Sequence, residues 1–302
     1  MKLSHSRAVG LMVLVTLMWS IAGVVTRHLG HARSFEITFW RSLFTALSLL
    51  VILPLWRGKA VFGQIPWRSR LFWWSSACWC VMFTAFMLAL TLTTVANVLV
   101  TLALGPLLTA LFSRLFLGDR LAWRTWLAIA LGGCGIAVMQ AAQLALGQGA
   151  WTGFLVAACA PVAAAVQWTM MQHTHAQART WDQPTPDLVP CVMLGATLSC
   201  LVTLPLALPF QSTGHDLTLL ALLGLVQLAV PCVLSVLCAA VLKSPEMALL
   251  ALLEVLFGIA LAWVGAGETP GPHVLLGGAL VMTALVGNEL FAWRQRAGRT
   301  HG

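Results

Sequence analysis

Apolar runs of about twenty residues follow one another almost without interruption from residue 8 to residue 293. A helix of that length crosses the hydrocarbon core of a bilayer and satisfies its own backbone while doing so, which few other structures can do there. The runs predict ten spans, at 8–28, 35–56, 71–92, 96–117, 122–141, 150–172, 188–209, 217–241, 246–266 and 273–293. Most of the loops between them are too short for anything but antiparallel neighbours. Only 9% of residues are charged against 60% hydrophobic, whereas soluble chains carry about 25% charged residues, so a water-soluble fold and a disordered chain are both excluded. The spans leave no room for a separate catalytic domain. The first run is preceded by Lys2 and Arg7 but continues to Val25 without a small-residue cleavage site, so it is expected to remain as a span and not act as a cleaved leader.

The basic residues set the orientation. With the N-terminus in the cytoplasm, 14 of the 17 Lys and Arg fall on the cytoplasmic side, among them Arg7, Arg57, Arg68, Arg70, Arg114, Arg120, Lys243 and Arg294. Only Arg27 and Arg33 fall outside, and Arg41 lies within the second span. Both termini are therefore expected in the cytoplasm of a bacterial inner membrane. The net charge of +8 marks topology and not nucleic-acid binding. With 14 Trp and no Tyr, anchoring at the membrane interface falls to Trp. The 8 Cys form no CxxC pair and lie in apolar runs, as reduced, buried small hydrophobes do. His173 and His175, two apart on a helix, point to different faces and do not form a metal pair.

The two halves of the chain resemble each other. Leu117-Gly118-Asp119-Arg120-Leu121 follows the fourth span and Ala266-Gly267-Glu268-Thr269-Pro270 the ninth. Each turn leads into a span with a double glycine, Gly132-Gly133 or Gly277-Gly278. A half of five spans is odd, so the second copy must enter the membrane inverted. Inverted repeats are a signature of alternating-access transporters with a site near the midplane.

Trp19 in the first span, Arg41 early in the second, Gly105-Pro106 in the fourth and the two Gly-acid turns together resemble the EamA branch of the drug/metabolite transporter superfamily. The resemblance covers about 8–140 and 150–292. It implies an all-α membrane protein of ten helices in two inverted five-helix repeats, at 8–141 and 150–293, that exports amino acids, metabolites or drugs. One departure is Gly118-Asp119 in place of Gly-Glu. The other is Glu254-Val255 in the ninth span, where the family has Glu-Pro and its kink.

Ionisable groups within spans are costly and so mark function first. Glu254, about 12 Å into the ninth span, could receive a substrate amine or carry a proton; alternatively it ties helices together as a hydrogen-bonded acid. Arg41 could attract an anion, pair with Glu36 or snorkel to the interface. Asn97, Thr101, Gln167 and Gln227 either line a cavity or bond between helices. Trp19, Trp79, Phe83, Phe86 and Trp168 could wall it, or simply pack. Pro106 is a candidate hinge, and Pro161 and Pro231 break helices less tellingly. The Asp119 and Glu268 turns are expected to pin loops. No Walker loop, HExxH or nucleophile elbow occurs, so the chain reads as a secondary transporter without cofactor or metal and not as an enzyme. Its expected partners are a small polar substrate such as an amino acid, a coupling proton and membrane lipids. A multidrug or lipophilic-cation exporter, or an importer, is the alternative.

Overall fold

A computed structural model describes residues 4–118, 123–145, 151–180, 187–239, 241–242, 250–251 and 253–299, and all regular structure in them is helical. The helices are α1 His5–Arg27, α2 Ser34–Arg57, α3 Arg70–Leu92, α4 Val95–Leu102, α5 Gly105–Leu117, α6 Trp123–Ala145, α7 Trp151–Thr180, α8 Val189–Ala207, α9 Gly214–Leu222, α10 Val230–Ala239, α11 Leu253–Ala266 and α12 Pro272–Arg299. A π-helical segment, Leu223–Ala229, joins α9 to α10 without a gap, and a 3-10 turn, Lys59–Phe62, follows α2. Among the described residues, seven helical stretches are long and apolar enough to cross a membrane: α1, α2, α3, Val95–Phe116, Trp151–Met170, α8 and Gly214–Ser235. Leu253–Ala266 and Pro272–Ala284 are shorter apolar helices. The Asp119 turn with Arg120, Lys2, Pro184, Pro186, Lys243 and much of the N-terminal part of the expected ninth span lie outside the described residues.

The fourth and eighth spans, which carry Pro106 and Pro231, are interrupted. Between α4 and α5 the Leu104 N–H donates to Thr101 three residues back, a tighter turn than the α-helix makes. Pro106 then stands as the second residue of α5, where a missing N–H costs no helical bond. In the eighth span the chain widens into a π-turn and Pro231 follows directly. Helix starts are capped by side chains the sequence places there: Ser69 for α3, Thr94 for α4, and a reciprocal Thr213–Asp216 box for α9.

Neighbour relations repeat across the chain. Helix α7 packs on α3 as α1 packs on the π segment and α10, and α7 meets α4 and α5 as α1 meets α11. Helix α8 lies against α3 as α9 and the π segment lie against α2. Three further contacts join elements at matching places in the two halves: α2 with α8, α4 with α11, and α6 with α12. The largest buried apolar cluster runs through α3, α4, α11 and α12, around Leu90, Leu99, Val255 and Val281.

The α6–α12 contact is backbone-close because both helices present glycine. A Cβ on Gly135 would stand 2.6 Å from the Gly277 carbonyl oxygen, whereas one on Gly133 meets nothing within 4 Å. Such small-residue seams let helices approach where no hydrophobic force distinguishes neighbour from lipid. Gly135→Leu is therefore expected to destabilise the fold by about 1–3 kcal/mol, the usual range for overpacking. Gly133→Leu should be close to neutral, as measured by thermal unfolding in detergent.

Candidate functional site

Arg41 is the eighth residue of α2, about 10 Å from that helix's start, and is 1% exposed. A guanidinium so placed needs its donors satisfied by protein. Its Nε and Nη2 both donate to the Gln227 side-chain oxygen, at 3.1 and 2.9 Å, and Nη1 donates to the Phe83 carbonyl at 3.4 Å. The Phe86 ring lies 5.6 Å from the guanidinium carbon and supplies a cation–π face. Gln227 completes its own bonding by donating from Nε2 to the Trp19 carbonyl at 3.3 Å. One cation thus ties α1, α2, α3 and the π segment together.

The π-turn is what delivers Gln227. Gly224, one turn earlier, lies so close to α2 that a Cβ would stand 2.6 Å from that of Phe44. The Thr45 hydroxyl donates to both the Arg41 and the Gly224 carbonyls, at 2.8 and 3.2 Å. The widened turn thus exposes a carbonyl that α2 satisfies, as interrupted helices require in lipid.

Glu254, on α11, forms no ion pair with Arg41. Its side chain is part-buried. The buried cation is thus held by neutral groups, and the acid is left unpaired with it.

The other residues singled out from sequence distribute around this centre. Phe83 is buried and packs on half-buried Trp79, with ring centroids 5.4 Å apart. Asn97 donates to Thr93, and the Thr101 hydroxyl donates to the Asn97 carbonyl, so both serve α4 itself; the Asn97 side-chain oxygen is left without a partner. Gln167 donates to Ser75 at 2.7 Å and pins α7 to α3. Trp168, the next residue on α7, is 45% exposed and turned away from that contact. Five residues separate Glu36 from Arg41, or about 140° around the helix, and the two do not pair. Instead, Glu36 accepts the Gln211 and Ser212 N–H groups and the Ser212 hydroxyl. The features sequence reasoning missed are main-chain ones: the Trp19 and Phe83 carbonyls and the π-turn. Only Pro231 hinted at the last.

Carboxylates brace the ends of the helices. At the Arg27 end, Glu268 accepts the Val95 N–H at 2.7 Å and pairs with Arg27 at 3.0 Å, while Arg27 also donates to the Leu90 and Thr93 carbonyls. Glu268 therefore caps α4, in keeping with the loop-pinning expected of it. Asp216 accepts from the Gly30 and His31 N–H groups on the same side. At the opposite end Asp187 pairs with Arg57. Among the described residues no three His, Cys, Asp or Glu side chains gather as a metal site would require.

Residues 6–140 match the EamA-like transporter family. Twenty-two solved chains share the fold; one, the crystal structure of a protein 19% identical to this chain, superposes with a TM-score of 0.64 over 97% of this chain and 99% of its own. No curated protein matches the chain.

Removing the amide that holds Arg41 tests its structural weight. Gln227→Leu leaves two guanidinium donors unpaired and is expected to cost about 1.5–3 kcal/mol, the range for hydrogen bonds to a charged group. Thermal unfolding of the purified variant against wild type measures it.

Proposed function

We propose that the chain is a secondary transporter of the drug/metabolite transporter superfamily, a reading supported by the match of residues 6–140 to the EamA-like transporter family. It exports small polar metabolites such as amino acids across the bacterial inner membrane. The observation that carries this reading is the buried Arg41, held by neutral groups, with the part-buried Glu254 of α11 left unpaired with it. The reciprocal neighbour relations of the helices support ten spans in two inverted repeats, at 8–141 and 150–293, that rock about this centre. The positive-inside asymmetry supports cytoplasmic termini, with the Arg57 end facing the cytoplasm and the Arg27 end outside.

In the proposed cycle, Glu254 receives the substrate's ammonium or, when empty, a proton. Arg41 does not bind substrate while Gln227 holds it. Trp19, Trp79, Phe83 and Phe86 supply the apolar body of the site, while Asn97 and Thr101 on α4 and Gln167 on α7 stabilise the surrounding helices. The interruption before Pro106 is the hinge that lets α4 and α5 move separately. Transport, and not catalysis, is what the family implies.

A lipophilic-cation exporter of the same fold is the second reading, favoured by the aromatic lining beside a single acid. The two readings part in a flux assay that sets labelled amino acids against a fluorescent cation. For either substrate, Glu254→Gln is expected to abolish uptake driven by a pH gradient in proteoliposomes and to leave passive exchange intact. Undiminished gradient-driven flux in that variant would overturn the proton role.

A further inference from the structure

At the start of α3 the chain forms a surface cavity of about 370 Å³ lined by Trp67, Arg68, Arg70, Trp73, Trp74 and Ala77. Its composition differs from that of the central site: two cations, three indoles and no acid. The indoles are not core residues, with Trp67, Trp73 and Trp74 exposed by 51, 45 and 65%. The hollow is open to the surface, and its wall is ordered: the Trp73 Nε1 donates to the Trp67 carbonyl at 2.8 Å and the two rings stand 6.2 Å apart, with Phe72 edge-on to both. Ala77, one turn further along α3, leaves the room between them.

The two arginines are the decisive feature. Arg27, Arg33, Arg41 and Arg57 all direct donors at carbonyls, an amide or a carboxylate of the protein. Arg68 and Arg70 flank the same cavity, and among the described residues neither makes a hydrogen bond or an ion pair. Two free guanidinium groups offer a planar, multidentate set of donors suited to phosphate oxygens. The indoles around them are the side chains that settle at headgroup level, where a flat apolar ring can lie against acyl chains. The site also lies on the Arg57 side, which the charge asymmetry places at the cytoplasmic leaflet, where acidic lipids give the surface its negative potential.

We infer that this cavity is a binding site for the phosphate headgroup of an acidic phospholipid of the cytoplasmic leaflet. Arg68 and Arg70 clamp the phosphate, and Trp67, Trp73 and Trp74 hold the glycerol and the upper acyl chains. A free phosphate ion would use the arginines but gain nothing from three exposed indoles, so the lipid is the occupant. The site anchors the N-terminal end of α3, the helix whose Phe83 carbonyl meets Arg41 and whose Ser75 meets Gln167.

The test uses the full-length protein in nanodiscs of phosphatidylcholine with or without phosphatidylglycerol, with lipid retention read by native mass spectrometry. Wild type should retain phosphatidylglycerol selectively. Arg68→Gln with Arg70→Gln should weaken that retention by about 30-fold, each arginine giving up about fivefold through its lost charge-assisted hydrogen bond to the phosphate. A charge-matched control, Arg7→Gln with Arg294→Gln, should keep wild-type retention. Equal loss in both double variants would make the effect one of net charge and overturn the site. Inorganic phosphate added to the detergent-solubilised protein should leave its thermal stability unchanged; a rise abolished by the Arg68/Arg70 variant would make this an ion site and overturn the lipid assignment.

Discussion

A guanidinium that cannot reach water must find its hydrogen bonds in the protein, and most of the interior architecture follows from how Arg41 does so. A side chain on α2 supplies the charge, a carbonyl on α3 and an amide from the π segment accept its donors, and that amide is oriented by a carbonyl on α1. None of these partners carries a compensating charge. The insertion cost of an arginine at this depth is a few kcal/mol on translocon scales, and neutral acceptors offset it only if all of them are in place together. The arrangement is therefore cooperative: four helices must be in register for one cation to be tolerated.

At the helix ends the same economy of charge takes a different form. Glu36, Asp216, Glu268 and Asp187 all accept backbone N–H groups, and in each case the carboxylate joins segments distant in sequence or opens a helix it precedes. Loop amides without partners would be costly near a membrane, where water is scarce. Four of the nine acidic residues are thus committed to holding loops. This explains how a chain so poor in charge can have well-defined turns, and why so few acids remain for transport.

The sequence made the membrane class and the main helices legible, because apolar run length is a direct measure of bilayer thickness. It also made Arg41, Gln227 and Glu254 legible, since a polar group in an apolar run has few reasons to be there. What it concealed was pairing. Glu36 and Arg41, near in sequence, are held apart by helical periodicity, while Arg41 and Gln227 meet across 186 positions. Trp168 could be read as lining because aromatic residues carry no sign of which way a helix faces when lipid is as apolar as the interior. The interruption at the fourth span was half visible in Gly105-Pro106. The π-turn was nearly invisible, since nothing in Leu223–Ala229 except the following proline departs from a plain helix.

On the two-repeat reading, the scaffold is matched while the site is not. Helices α5 and α11 both end in a glycine of positive φ, Gly118 at 72° and Gly267 at 66°, a conformation in which glycine alone has no steric cost. Thirteen residues back from each glycine lie Gly105 and Glu254. The first of these sits at the break of the fourth span, 4.0 Å from Pro161 of α7 were it to carry a Cβ; the second is the part-buried acid of α11. The counterpart of Arg41 is likewise apolar, because the corresponding stretch of α8, Pro190-Cys191-Val192, holds no charge. Repeated packing gives two equivalent ways of stacking the same helices, which a rocking mechanism needs. A ligand, however, must be bound by one set of groups in both states. Arg41 and Glu254 both stand at positions where the two halves differ, so matched packing and unmatched chemistry coexist in one scaffold.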